Sequence, residues 1–397
     1  MFLQLQFGFL LHQKEMFLKN NTNSGICLIS SCWGDSHQMN KIIEFEKNNI
    51  EVKTLAYVRQ DYYKSETNRH FIKITDLKSR HYLKRIWTYI FAFFKIFKNI
   101  KNEKVVYVFG IDNIIITILI KIIFRLKLKL IYEIPDIREV QFSNSIFTKA
   151  LYQLEKVLYK KIDLFVFTSE AYYTEFYEKI LGYPVNYTVI ENKINTSIIN
   201  EFKATNIQKY RASKPSLTIG YFGLLRCSQS LKILIELAKK RSDFNIILRG
   251  IFMENTRHYL KKINEIKNIN YLGAYVSPID LRTIYEEIDI SWICYPFSKQ
   301  EVGNWKLAKT NRFYESGFYK TPMISSKGTQ DSKKVDELNI GIVIDLSDLK
   351  KCLSKVEDVT LLQVLNWKKN IENSSDSNYV IKDDYRLVIN FIKINIK

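Results

Sequence analysis

The chain has 397 residues and a mass of 47.1 kDa. That is more than one hydrophobic core usually serves, so two domains of about 150–200 residues are expected, and a hydrophobic content of 46% excludes a wholly disordered chain. The formal net charge of +19 favours polyanionic partners such as nucleic acid, an anionic membrane or phosphorylated substrates, although a general enrichment in Lys, Ile, Asn and Tyr is an equally good source of it.

The first residues, "MFLQLQFGFLLHQKEMFLKNN", hold a short apolar run without a basic n-region or a small-residue cleavage site. We read residues 1–24 as an N-terminal extension, in which 1–15 are an upstream addition or a weak interfacial segment rather than a signal peptide. The first strand is "GICLISS" (Gly25–Ser31), followed by the small-polar loop "SCWGDS". "QMNKIIEFEKNN" is an amphipathic helix and "IEVKTLAYV" a strand. "RHFIKITDLKSRHYLKRIWTYIFAFFKIFKNIKNEK" (Arg69–Lys104) holds ten Lys/Arg against two acids, interleaved with aromatic residues. It reads as a basic amphipathic helix that can lie on an anionic membrane, with Lys84, Arg85, Trp87 and Lys95 as contacts. The alternative is a core-packed helix with solvated lysines. Basic-plus-aromatic stretches also occur in nucleic-acid binders, but no RRM, KH or helix-turn-helix pattern is present, so no nucleic-acid partner is expected.

"KVVYVFG" (Lys104–Gly110), "LKLIYEI" (Leu128–Ile134) and "DLFVFTS" (Asp163–Ser169) are further strands. Between the first two, "IIITILIKIIF" (Ile114–Phe124) is interrupted by Lys121, and a buried helix is expected rather than a membrane span. The polar stretch after "YTVIENKIN" (Tyr187–Asn195) marks a linker, placed at residues 196–213. The first domain is thus 25–195, the second 214–370, and 371–397 a helical segment that can pack back on the first. In the second domain "LTIGYFG", "FNIILRG", "INYLGAY", "DISWICYP", "TPMISS" and "IGIVIDL" are strands separated by helices. Ser277 and Pro278 are placed as N-cap and first-turn residue of one of them. This βαβα alternation predicts two doubly wound parallel-sheet α/β domains, Rossmann-like in build, facing across a cleft where ligands bind.

Several chemistries are disfavoured. The five cysteines and five histidines show neither C-x-x-C nor H-E-x-x-H spacing, so a reduced cytoplasmic chain with no metal site is expected. There is no G-x-G-x-x-G and no G-x-x-x-x-G-K-[ST]. Two loops remain. After "IGYFG", Gly223 permits close backbone approach, Arg226 supplies charge and Ser228 can cap the next helix, a combination that suits a phosphate. Its bland counterpart is a plain β–α turn. After "DISWICYP", a loop with Lys299, Asn304, Lys306 and Lys309 leads to "NRFYESGFYKTP", which holds Asn311, Arg312 and Glu315. A carboxylate there can accept a ribose diol, or simply pair with Arg312 one turn earlier. Both loops open on the same edge of the second sheet, and the pair fits a nucleotide-sugar.

"IGYFGLLRCSQSLKILIELAKK", "LGAYVSPIDLRTIYEEIDISWICYP" and above all "NRFYESGFYKTPMISSKGT" resemble the donor-binding half of retaining "group 1" GT-B glycosyltransferases. "LIYEIPDI", "DLFVFTSEAYYTEFY" and "VIENKIN" are similar to the family's acceptor domain, and the resemblance spans roughly residues 25–345. It implies a hexosyltransferase-like enzyme of bacterial capsule or lipopolysaccharide assembly. Its donor would be a UDP- or GDP-linked sugar, and its acceptor a glycan or a polyprenyl-diphosphate-linked glycan at the inner membrane. Glu315 matches the second glutamate of the family's E-x7-E motif, which holds the ribose; Arg226 would contact the diphosphate, and Asn311 and Arg312 would line the donor site. The first glutamate is missing, because Leu307 stands eight residues before Glu315; Asn304 and Glu301 are its possible substitutes. Where many relatives carry a histidine near the sugar, this chain has Pro135. Glu133 and Asp136 are then the carboxylates available to orient an acceptor hydroxyl or act as base. No D-x-D pair closes a strand here, so no metal or other cofactor is expected.

Overall fold

The computed structural model describes residues 25–58, 69–76, 82–201, 217–298 and 303–396, with side chains omitted for 82–87 and 199–201. The expected extension 1–24, most of the linker, Lys299 and Glu301 lie outside the described residues, as do the side chains of Lys84, Arg85 and Trp87.

Two parallel sheets are formed. The first contains β1 (Gly25–Ser30), β2 (Glu51–Val58), β3 (Ile72–Asp76), β4 (Val105–Phe109), β5 (Lys129–Ile134), β6 (Leu164–Phe167) and β7 (Tyr187–Val189), in the order β3-β2-β1-β4-β5-β6-β7. The second contains β8 (Leu217–Leu225), β9 (Phe244–Phe252), β10 (Ile269–Tyr271), β11 (Ile290–Trp292), β12 (Met323–Ser326) and β13 (Gly341–Ile344), in the order β10-β9-β8-β11-β12-β13. In each sheet the strand order reverses once, between β1 and β4 and between β8 and β11. Ligand crevices form outside the carboxyl ends of strands at such points.

Helices cover both faces of the first sheet, which is why a strand such as β4 is buried along its whole length. Helices Tyr82–Ile100, Ile111–Ile123 and Ile146–Tyr159 close one face over Ile29, Val106, Val108 and Leu130. Helices Ser36–Lys47 and Arg386–Ile396 close the other, where Ile42, Phe45, Val388 and Ile392 meet Ile26, Leu28 and Tyr107. The last helix therefore belongs spatially to the first domain, and Lys104 Nζ donates to the carbonyl of Ile396 at 3.0 Å. In the second domain, helix Ser228–Lys240 buries Leu231, Leu234, Ile235 and Ala238, the stripe that a 3.6-residue period turns inward. Each such leucine or isoleucine side chain contributes about 1.5–3 kcal/mol on burial.

Four local expectations are corrected. Arg69–Lys104 is not one helix: "IKITD" pairs with β2 as the edge strand β3, because its alternating pattern buries Ile74 in the core. The expected linker begins as a short helix, Thr196–Glu201, which buries Ile198 on the first domain. Ser277 and Pro278 do not cap a helix; the helix starts at Leu281, after Asp280, whose carboxylate accepts the Val276 N–H at 2.7 Å. Ser228 is the first helical residue rather than the cap. Cys227 takes the capping role, its Sγ accepting the Ser230 N–H at 3.4 Å.

Candidate donor and acceptor cleft

A cavity of about 580 Å³ separates the domains where the two strand-order reversals face each other. Gly223, Arg226, Asn311, Arg312 and Glu315 line it from the second domain, and Glu133 and Asp136 from the first. Ser228 and Asn304 are not among the lining residues.

Strand β8 runs through Gly223 in register with Gly250 of β9. Both glycines have positive φ, +96° and +129°. A Cβ on Gly250 would lie 1.8 Å from the Gly223 carbonyl oxygen, so only glycine permits this approach. The strand pair then delivers Arg226 to the cleft rim, where its guanidinium lies over the Tyr295 ring at 5.5 Å.

Helix Asn311–Phe318 begins at Thr310, whose hydroxyl accepts the Phe313 N–H at 3.3 Å. One turn in, Glu315 is 6% exposed and accepts a hydrogen bond from the Tyr285 hydroxyl at 3.0 Å. Burial pushes its carboxyl up to about 7; the Tyr285 bond and the charge of Arg312 oppose the shift without cancelling it. The Arg312 guanidinium does not satisfy Glu315. It donates to the carbonyls of Phe222 at 3.0 Å and Cys294 at 3.2 Å, and lies over the Tyr221 ring at 5.4 Å. Arg312 thus ties together the ends of β8 and β11, and the local Arg312–Glu315 pair gives way to a carboxylate held by Tyr285. Asn311 bonds His37 Nε2 at 2.8 Å and Asn192 at 3.3 Å, across the domain boundary.

On the opposite wall the two carboxylates differ. Glu133 has both oxygens engaged within the core: Lys41 at 2.9 Å on Oε1 and the Tyr107 hydroxyl at 2.6 Å on Oε2. Its carboxyl is raised by burial, against the pull of Lys41. This fits a buried ion pair better than a base. Asp136 is accessible in the cleft and uses one oxygen, Oδ1, to accept from Asn304 at 2.8 Å and Tyr172 at 3.3 Å. The surrounding walls raise its carboxyl, while Asn304, Tyr172 and the charge of Arg226 pull it down.

Asn304 has a different place from the one its position suggested. Its amide also donates to the Tyr295 hydroxyl at 3.1 Å, and its Oδ1 accepts from Tyr172 at 2.8 Å. Three residues on, Leu307 is 1% exposed and packs with Ala308 in the core of the first domain, where Ser169 Oγ donates to its carbonyl at 2.6 Å. The position eight residues before Glu315 is therefore an apolar anchor between domains.

The first-domain side holds residues that the sequence reading did not single out. Asp35 caps helix Ser36–Lys47, accepting the N–H groups of His37 at 2.9 Å and Gln38 at 3.2 Å, and the start of that helix lines the cleft. Burial lowers the basicity of His37. The signal was the small-polar loop "SCWGDS" just after the first strand. Among the described residues no group of three His, Cys, Asp or Glu is placed to hold a metal ion.

No protein-family profile matches the chain. It is 26% identical over 241 residues to the succinoglycan biosynthesis protein ExoL of Rhizobium meliloti, spanning 58% of this chain and 58% of that relative's length. A glycosyltransferase from Rickettsia africae superposes with a TM-score of 0.65 at 13% identity, covering 94% of this chain and 99% of the other. Anabaena HepE in complex with UDP and glucose superposes with a TM-score of 0.62 at 13% identity, covering 93% and 100%. The chain therefore has the two-domain GT-B fold, and its structural neighbours include glycosyltransferases and a protein assigned as a UDP-N-acetylglucosamine 2-epimerase.

Proposed function

We propose that this protein is a glycosyltransferase of surface polysaccharide biosynthesis, moving a sugar from a nucleotide-sugar to a glycan or lipid-linked glycan. The observation that carries the reading is the placement of Glu315, Gly223 and Arg226 on one wall of a cleft whose other wall presents Asp136. Glu315 accepts the ribose diol, and Arg226 with the adjacent backbone meets the diphosphate. Asp136 orients or deprotonates the acceptor hydroxyl. As the glycosidic bond to the leaving diphosphate breaks, charge grows on the phosphate oxygens, and Arg226 is positioned to stabilise it. The complex of HepE with UDP and glucose supports a UDP-linked donor over a GDP-linked one. The polysaccharide assignment draws on the similarity to ExoL. A metal-independent, retaining reaction at the cytoplasmic side remains part of the proposal.

One observation favours a second reading. Leu307 removes the carboxylate that the resemblance places beside the donor sugar, which suits a catalytically silent subunit that binds a partner transferase or the membrane, or an inverting or epimerising enzyme. Titration calorimetry with UDP and GDP on the wild type and Glu315→Ala tests the donor site. Binding of one nucleotide, weakened by the substitution, is expected; no binding to either, or equal binding by the variant, overturns it. Consumption of nucleotide-sugar in the presence of membrane acceptors then separates an enzyme from a silent subunit.

A further inference from the structure

The three helices on one face of the first sheet carry apolar side chains on both sides. Ala92, Ile96, Ile114, Ile118 and Leu158 point into the core. Phe91, Phe94, Ile123 and Phe147 are 69%, 61%, 60% and 67% exposed. Of the nineteen large apolar side chains exposed among the described residues, eleven lie on these three helices or at Phe124 just after the second. A core needs only the inner stripe of a helix, so an outer stripe of Phe and Ile calls for a second explanation.

The outer stripes of the first two helices are continuous. Phe97 stacks on Phe124 at 3.8 Å, and Phe93 lies 6.2 Å from Phe124 and 5.5 Å from Phe94, joining the first two helices through one aromatic cluster. Lys121 Nζ donates to the carbonyl of Lys161 at 3.3 Å and draws the end of the third helix alongside. The helices return antiparallel to their strands, so the first turn of the third, with Ile146 and Phe147 exposed, lies at the cleft end of the domain.

Charge decides what covers this face. Helix Tyr82–Ile100 contains no Asp or Glu, and residues 113–129 contain no acid but hold Arg125 and Lys127, besides Lys121 and Lys129, which pair with Asp163. Of the two acids within the three helices, Asp112 is paired with Arg138 at 2.7 Å and Glu155 is buried. Lys95, Lys98, Arg125, Lys127, Lys149 and Lys160 are exposed around the apolar residues. Two copies meeting through this face would set like-charged rims against each other. An anionic bilayer instead takes the aromatic and aliphatic side chains into its interface and the lysines onto its headgroups. Among the described residues no helix is long and apolar enough to cross a membrane, which leaves a surface contact.

We propose that the outer face of these three helices is a docking surface for an anionic lipid bilayer. It is wider than the single-helix contact expected from the sequence, and it does not depend on the donor site. The full chain is co-sedimented with vesicles of phosphatidylcholine alone or with about one-third phosphatidylglycerol. Binding to the anionic vesicles, weakened by salt, is expected. Phe94→Ser with Ile123→Ser should weaken it roughly tenfold or more, and Lys98→Glu with Arg125→Glu by a similar factor. Unchanged thermal unfolding and nucleotide titration of the variants show that fold and donor site are intact. No binding to anionic vesicles, or equal binding by the variants, overturns the proposal. So does a dimer in sedimentation velocity that the same substitutions dissolve, which would assign the face to a second copy.

Discussion

The amide of Asn304 donates to Asp136 Oδ1 at 2.8 Å and so fastens the second domain to the first at the mouth of the cleft. The same side chain reaches Tyr172 and Tyr295, so Asn304 and Tyr172 together hold the Asp136 carboxylate. Asn304→Ala removes all of the Asn304 bonds together. Each lost bond costs about 0.5–1.5 kcal/mol. Lower thermal stability and a larger radius of gyration by small-angle scattering are the expected readouts. Asp136→Asn should keep the bond geometry but abolish turnover, with nucleotide binding unchanged in the same titration.

Glu315 titrates in the folded chain at about 7, above its ordinary 4.5. Asp331, buried against the Thr310 N–H at 3.1 Å, is likewise raised to about 7 from 3.8. A carboxyl with a raised folded pKa binds more protons folded than unfolded. The stability these two groups contribute is therefore fully present below the unfolded value and is lost as pH rises through about 7. The loss is of the order of a few kcal/mol for each group. Chemical denaturation across this range should show that slope, and Glu315→Gln should roughly halve it, leaving the Asp331 part. Nucleotide binding runs the other way: a diol-accepting carboxylate must be ionised, so affinity should rise through about pH 7 in the wild type and not in Glu315→Gln.

Leu307 occupies the place of the missing glutamate but sits in the first domain's core. Leu307→Ala should cost about 2–5 kcal/mol. Leu307→Glu would bury an unpaired charge, so it should unseat the loop or unfold the protein rather than add a sugar contact. Thermal unfolding and nucleotide-sugar turnover of both variants check this.

Glu133 is a test of the two carboxylate roles. Glu133→Gln strands the buried Lys41 and should cost about 3–5 kcal/mol. Glu133→Leu with Lys41→Met removes both charges and should restore much of that stability. If turnover survives in the stable double variant, Glu133 is excluded as the base and Asp136 remains.

Gly317, in "ESGFYKTP", is a packing glycine. A Cβ there would lie 2.0 Å from the Tyr379 ring, within the interface between helix Asn311–Phe318 and the C-terminal segment. Gly317→Ala should destabilise by about 1–3 kcal/mol. Tyr379→Leu should relieve the clash, and denaturation midpoints of the four members of the cycle should be non-additive.

The amino-acid order alone determined the parallel α/β build, because fully buried strands and one-sided helices leave different hydrophobic periods. "LKLIYEI" and "SQSLKILIELAKK" show the two periods plainly. It also determined that Gly223, Arg226 and Glu315 follow strands of one sheet, since loops after parallel strands open on the same edge. The edge strand β3 escaped because five residues of alternation were submerged in a basic, aromatic run. Only the tertiary structure decided where side chains turn. Arg312 and Glu315 lie one turn apart and would pair on an isolated helix, but packing sends the guanidinium to the Phe222 and Cys294 carbonyls and leaves Glu315 to Tyr285. Asn304 meets Asp136 across 168 positions, and Leu307 enters a core built by residues of the other domain. Such contacts depend on how two separately folded sheets dock, and no local periodicity carries that information.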